Sequence, residues 1–115
     1  MAGFERRFNT FAKKFEGHEA VLRQMVELFL QDVPARMAEV REGLQQQDWP
    51  AVSKAAHSLV NITGTMQVFE AAKTAKEMDI AVEDREYSKL TALFDSLDTE
   101  ITSALAVLQR DYSAE

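Results

Sequence analysis

Cysteine is absent from this chain, proline occurs twice, glycine occurs four times, and no long uninterrupted apolar run is present. Without cysteine the protein cannot form disulfides, thiolate nucleophiles or thiolate metal sites. No N-terminal apolar segment resembles a signal peptide or a membrane span, so a cytoplasmic location is the default expectation. The scarcity of helix breakers, together with abundant Ala, Leu, Glu, Lys and Gln, predicts an all-α fold.

Positive charge is also in short supply, with 13 Lys and Arg residues against 19 Asp and Glu residues and a formal net charge of -6 at pH 7. This balance repels phosphate backbones and anionic lipids, so we expect neither nucleic acid nor a membrane as a partner. The chain has 115 residues, of which 46% are hydrophobic, and this is enough for one core. We therefore predict a single helical domain over residues 1–115, present as a monomer.

Apolar residues recur at spacings of three and four along five segments, which is typical of amphipathic helices. The first segment is short and predicts an N-terminal helix whose phenylalanines lie in the core. The other four are joined by short connections, and short connections make neighbouring helices antiparallel. The sequence therefore predicts an up-down-up-down four-helix bundle with a short additional N-terminal helix. The predicted helices cover residues 4–15, 19–44, 48–64, 67 or 68 to 82, and 87–109. Asp48 is the predicted N-cap of the third helix, and Trp49 is predicted to close that end of the bundle.

Pro34 falls inside the second predicted helix. Proline removes one helical hydrogen bond and clashes one turn back, but the apolar spacing continues past this position. We therefore expect a kink near residues 30–34 and not the end of the helix.

His57 lies on the side of the third predicted helix that faces away from the core. At about 100° per residue, its imidazole is rotated by roughly 140° from the middle of the apolar stripe. The stripe consists of Trp49, Val52, Ala56, Leu59, Thr63 and Met66. Around His57 lie Pro50, Ser53, Lys54, Asn61 and Gly64. Another protein could reach a histidine displayed among these mostly short side chains, although a solvated surface histidine without chemistry fits the same pattern.

Five short stretches carry a resemblance to a known family. In chain order they are Phe15-Glu16-Gly17-His18-Glu19, Phe29-Leu30-Gln31-Asp32-Val33-Pro34-Ala35-Arg36, Asp48-Trp49, Ala56-His57-Ser58-Leu59 and Met78-Asp79. In order and spacing they resemble the histidine phosphotransfer (HPt) domain of two-component phosphorelays. The specific part is the Asp-Trp helix start followed by Ala-His-x-Leu.

The resemblance implies a phosphorelay carrier. His57 would accept a phosphoryl group from an aspartyl phosphate on a receiver domain and pass it to another receiver. The implied partners are response-regulator receiver domains and a sensor (hybrid) histidine kinase. No cofactor and no autonomous kinase activity are expected of the carrier itself, because positioning and charge stabilisation dominate phosphoryl transfer.

The chain departs from the family pattern at three positions. The family usually has a lysine three residues after the histidine, a glycine at the next position, and another glycine ten residues after the histidine, where this chain has Val60, Asn61 and Gln67. Lys54, one turn before His57, is the residue we expect to offset phosphoryl charge in place of the missing lysine. Whether these departures reduce transfer activity is left open by the sequence.

The predicted docking surface is the face that carries His57 and the adjacent part of the second helix. Val21 and Leu28 lie well over 90° from the centre of the apolar stripe of that helix. They either widen the core face and contact the first helix, or they are exposed and contact a partner. The predicted supporting residues are Ser53, Lys54, Asn61 and Gly64, and the predicted contact residues are Val21, Met25, Leu28 and Val60.

Two other classes of protein fit part of the sequence. A pure interaction bundle would keep the HPt-like fold while Val60 and Asn61 leave His57 unphosphorylated. A helical enzyme or metal carrier would need clustered ligands, but His18 and His57 are far apart and no Glu-x-x-His pair is present. We expect His18 to be a helix N-terminal residue without chemistry. The start at Met1 favours a free-standing carrier over a domain of a larger sensor kinase.

Overall fold

The computed structural model describes residues 2–112, and within this range every regular element is helical. The four long helices and the short N-terminal helix confirm the predicted all-α bundle. Met1 and residues 113–115 of the predicted domain lie outside the described residues. In chain order the elements are α1 (Ala2–Lys13), α2 (Glu19–Gln46), α3 (Trp49–Thr65), α4 (Phe69–Glu83), a 3₁₀ turn (Tyr87–Lys89) and α5 (Leu90–Tyr112).

The ends of several helices differ from the prediction by a few residues. α1 begins and ends two residues before the predicted positions, and α5 starts at Leu90 because Tyr87–Lys89 form a 3₁₀ turn. α2 continues two residues past the predicted end. It stops where Gln47 adopts a left-handed conformation with φ of 53° and donates its N–H to the Leu44 carbonyl at 3.3 Å. The N–H of the following Asp48 donates to the Gly43 carbonyl at 2.9 Å. Periodicity locates the apolar stripe of a helix, but these local bonds decide where the helix ends.

α2 runs unbroken through Pro34, which is exposed. Val33 and Met37, on either side of it in the stripe, are both buried. The expectation that the helix continues past the proline is therefore correct.

The start of α3 follows the predicted capping pattern. Asp48 precedes the helix, and its side chain accepts a hydrogen bond from the Ala51 N–H at 3.3 Å. Pro50 lies in the first turn, where no N–H is required. The indole of Trp49 stacks on the ring of Tyr87 with centroids 4.2 Å apart and an interplanar angle of 7°. Trp49 thus closes this end of the bundle, as its place in the stripe indicated.

α1 packs over the other end of the bundle. Phe4 and Phe8 are buried, and the Phe8 ring contacts Tyr112 of α5 edge to face at 5.9 Å. Arg7 ties α1 to the connection between α3 and α4. Its Nε donates to the Gln67 carbonyl at 2.9 Å, and its Nη2 donates to Glu70 at 2.7 Å.

Small residues bring α3 and α4 close together. The buried positions of α3 include Ala56, and those of α4 include Ala71 and Ala75. Alanine carries only a methyl group, so the two backbones can approach more closely than across leucine or phenylalanine. Polar side chains at the edge of the interface between α3 and α4 are therefore close enough to form hydrogen bonds with each other.

None of the helices formed by residues 2–112 is both long and apolar enough to cross a membrane.

Candidate functional site

His57 lies near the middle of α3, and 67% of its side chain is exposed. Its place on the helix is the one that the apolar stripe indicated, opposite the buried Val52, Ala56 and Leu59. The other histidine, His18, is the residue before α2; it is exposed and makes no capping bond with its side chain.

The structure adds Asp79 of α4 to the candidate site. Its Oδ2 lies 3.8 Å from Nδ1 of His57, and its Oδ1 accepts a hydrogen bond from the Ser53 hydroxyl at 2.5 Å. The Asp79 side chain is 25% exposed, so the interface between α3 and α4 partly shields it from water. Ser53 therefore holds this carboxylate beside the imidazole.

The position of Asp79 distinguishes the two ring nitrogens of His57. A carboxylate only accepts hydrogen bonds, so it favours the tautomer with the proton on Nδ1. The distance of 3.8 Å between Nδ1 and Oδ2 is longer than a hydrogen bond. A small rotation of the imidazole would bring the two atoms within hydrogen-bond distance. Nε2 then carries the lone pair and is the nitrogen free to react.

Asp79 lies in one of the stretches that resemble the HPt domain, but the sequence analysis assigned it no role. The sequence contains one signal for a role of Asp79. It follows the buried Met78 and therefore lies at the edge of the apolar stripe of α4. The sequence does not give the register between α3 and α4, and this register places the Asp79 carboxylate opposite His57. Ser53, in contrast, was among the predicted supporting residues, and the structure brings it to the site.

Lys54 is exposed but lies on the α2 side of α3. It lines a cleft between these helices together with Glu39, Glu42 and Asp48, and His57 is not part of that cleft. Arg36 lines the same cleft. The structure therefore places Lys54 on the α2 side of His57, whereas Asp79 lies on the α4 side.

Asn61 and Gly64 follow His57 along α3. Asn61 is exposed and lines an apolar groove between α2 and α3. A Cβ atom added at Gly64 would meet no other atom within 4 Å, so the space beside this glycine is open. Val60 is half-buried against the core and is not among the residues that line this groove.

The apolar groove includes two of the predicted contact residues. Met25 and Leu28 line it, whereas Val21 is exposed but lies outside it. Val21 is 49% exposed and Leu28 is 58% exposed, so neither belongs to the core. Of the two interpretations that the sequence left open for these residues, the structure favours the exposed one. The full lining is Met25, Leu28, Phe29, Asp32, Asn61, Ile62, Thr65 and Met66.

Within residues 2–112 there is no group of three or more His, Asp or Glu side chains that could hold a metal ion.

Comparison with known proteins identifies the family. The model of the Hpt domain family matches residues 24–110, a range that includes His57 and Asp79. The fold is similar to the crystal structure of histidine-containing phosphotransfer protein B (HptB) from Pseudomonas aeruginosa PAO1, with a TM-score of 0.82, 21% identity and 88% of each chain covered. A search of curated protein sequences found no match. Since the family model covers most of the chain, this protein belongs to the Hpt domain family.

Proposed function

We propose that this protein is a phosphorelay carrier that receives a phosphoryl group on His57. The donor is the aspartyl phosphate of a receiver domain, and the acceptor is the aspartate of another receiver, with a sensor (hybrid) histidine kinase at the start of the relay. The observation that carries the proposal is an exposed imidazole in an Hpt domain, with Nδ1 facing Asp79 and Nε2 free.

The chemistry needs little from the carrier itself. The lone pair of Nε2 attacks phosphorus, the bond between phosphorus and the receiver's aspartyl oxygen breaks, and that carboxylate leaves with its electron pair. The proton on Nδ1 stays in place, so the phosphorylated ring carries a positive charge that Asp79 balances at 3.8 Å. Transfer to the next receiver reverses these steps. The developing charge on the phosphoryl oxygens is stabilised mainly by the receiver's own cation and divalent metal.

The apolar groove is the proposed docking surface for the receiver. Asn61 lies one turn after His57 and lines the groove, so the groove and the imidazole are continuous. Leu28 contributes exposed apolar surface, and Asp32 and Thr65 place polar groups at the margin. Apolar contacts bordered by polar groups suit a complex that must form and dissociate repeatedly.

An interaction bundle without phosphotransfer is the alternative. Val60 and Asn61 favour it, because they replace the lysine and the glycine expected near the histidine. The two functions differ in one measurable respect, since only a carrier takes up the phosphoryl group.

Labelling of His57 tests the proposal. Wild-type protein and the His57→Gln and His18→Gln variants are incubated with a panel of radiolabelled, phosphorylated receiver domains from the same genome. We expect acid-labile label on the wild type and on His18→Gln but none on His57→Gln, with equal helical circular dichroism for all three. Equal labelling of the wild type and His57→Gln would overturn the assignment of His57, and absence of label from all three would favour the interaction bundle.

A further inference from the structure

We propose that Lys76 of α4 supplies the positive charge beside phosphorylated His57 that Val60 cannot supply. This inference rests on the proposed function. The positive charge would come from α4, the helix next to α3, which carries His57.

The contacts of Asp79 set the level of Lys76 along the bundle. Asp79 reaches both Ser53 and His57, so it lies about level with the residues between them. α4 runs antiparallel to α3, and Lys76 precedes Asp79 by three residues, or about 4.5 Å. Lys76 is therefore level with the stretch from His57 to Val60, where the phosphoryl group would stand.

The side of α4 on which Lys76 lies also allows its side chain to approach His57. Three residues correspond to a rotation of about 60°, which places Lys76 on the solvent side of the partly buried Asp79. Lys76 is exposed, and it makes no ion pair with any residue of the described range. Ala72, one turn before Lys76 on the same side of α4, has only a short side chain. On α3, the space beside Gly64 is open. The flexible stem of a lysine can therefore extend toward Nε2 across the roughly 8–10 Å between neighbouring helix axes.

The charge balance gives Lys76 a role. A phosphoryl group brings up to about two negative charges, and Asp79 already contributes one beside the ring. On α3, Val60 offers no cation, and Lys54 lines the cleft on the α2 side of the helix. Lys76 is the cation on the His57 side of α4.

Lys73 is the matched control. It is an exposed lysine on the same helix, but it lies about 9 Å from Asp79 along the axis and a further 60° away from α3. A general effect of removing one positive charge from α4 would be equal at both positions.

The test uses potassium phosphoramidate as a small donor, so that no receiver contributes charge. Nε2 of His57 attacks phosphorus, the nitrogen–phosphorus bond of the zwitterionic donor breaks, and ammonia leaves with the electron pair. The rate of phosphohistidine formation is measured by ³¹P NMR for the wild type and for Lys76→Met, Lys73→Met and Lys54→Met. A fourth variant, Lys76→Met with Val60→Lys, tests whether a lysine on α3 restores the rate.

We expect Lys76→Met to lower the rate about three- to fivefold, which is the range for one exposed charge. Lys73→Met and Lys54→Met are expected to stay within about twofold of the wild type, and Val60→Lys is expected to recover most of the loss. The difference between the wild type and Lys76→Met should shrink in about 1 M salt, because salt screens exposed charges. A loss due to a structural role would not depend on salt in this way.

Equal rates for the wild type and Lys76→Met would overturn the inference, as would an equal loss in Lys73→Met or a larger loss in Lys54→Met. These outcomes leave the proposed function intact, because His57 is still phosphorylated. If neither phosphoramidate nor any phosphorylated receiver modifies wild-type His57, the proposed function fails and this inference fails with it.

Discussion

Asp79 is the carboxylate that lies beside the exposed imidazole of His57. It accepts a hydrogen bond from Ser53 on one oxygen and faces Nδ1 of His57 with the other. A carboxylate has no proton to donate, so it selects one tautomer of the imidazole. In the proposed phosphorylated state it would also lie beside the positive charge of the ring. Orientation and charge therefore come from the same side chain.

Asp79→Asn removes both effects of this carboxylate. The amide can donate to Nδ1 and favour the tautomer with the proton on Nε2, which removes the reactive lone pair, and the negative charge is lost as well. We expect transfer from a phosphorylated receiver to slow about tenfold, which corresponds to about 1.4 kcal/mol. Glu83→Gln, one turn later on α4, removes an exposed charge without touching His57 and should leave the rate within about twofold. If both variants transfer at the same rate, the contact between Asp79 and His57 has no role in the reaction.

The two ends of α2 are stabilised by different local bonds. At the start, the Gly17 N–H donates to Oε2 of Glu19 at 2.9 Å, and this bond holds the pKa of Glu19 below its ordinary value of 4.5. Because the folded-state pKa is lowered, the contribution of Glu19 to stability is present above the unfolded value and is lost as the pH falls through the folded value. At the end, Gln47 occupies a left-handed conformation that glycine adopts without strain.

Gln47→Gly should stabilise the protein by about 1 kcal/mol, because it removes the strain of a side chain in the left-handed region. Gln46→Gly, one residue earlier and still inside the right-handed helix, should destabilise it by about 0.5–1 kcal/mol. The measurement is the free energy of unfolding in urea. A loss of stability in Gln47→Gly would show that its side chain makes a compensating contact.

Two adjacent residues of α2, Leu28 and Phe29, allow effects on docking and on folding to be measured separately. Both line the groove, but Leu28 is 58% exposed and Phe29 is only 1% exposed. Leu28→Ala should weaken receiver binding while lowering stability by less than about 1 kcal/mol, and Phe29→Ala should cost about 3–5 kcal/mol of stability. Receiver binding by calorimetry and unfolding in urea are measured on the same preparations. If Leu28→Ala binds a receiver as tightly as the wild type, the groove is not the docking surface.

At the scale of the whole molecule, the bundle depends on close approach of its helices. α2 and α3 come together at Gly43, where an added Cβ would lie 2.8 Å from Cγ2 of Val52 and 3.3 Å from its backbone nitrogen. Val52 is fully buried and β-branched, so it has little freedom to move aside. Gly43 is therefore a contact point between helices and not a loop residue.

Gly43→Ala should destabilise the protein by about 1–3 kcal/mol, even though alanine favours a helix by up to about 1 kcal/mol. Gly64→Ala is the matched control and should be neutral or stabilising, because an added methyl group there meets nothing within 4 Å. Combining Gly43→Ala with Val52→Ala should cost less than the sum of the two single changes, since the second removes the clashing methyl groups. Additive losses in this double-mutant cycle would contradict a direct clash.

Features that depend on one helix at a time could be read from the sequence. The number and order of the helices, the Asp48 cap, the exposure of His57 and the off-stripe positions of Val21 and Leu28 all follow from a period of 3.6 residues or from local bonds. Each of these was predicted, and the structure has each of them. Among these features of single helices, the errors in the prediction were at the ends of helices, where one or two backbone bonds decide.

Features that depend on how two helices face each other required the tertiary structure. The placement of Asp79 beside His57 and Ser53 and the place of Lys54 in the cleft between α2 and α3 are properties of register between antiparallel helices. A hydrophobic stripe shows which side of a helix is buried but not how far the helix slides along its neighbour. That distance is decided by the packing of side chains such as Ala56 and Ala75, and by close contacts such as Gly43 with Val52. The sequence by itself determined the fold and the candidate nucleophile, and only the tertiary packing decided which charges surround it.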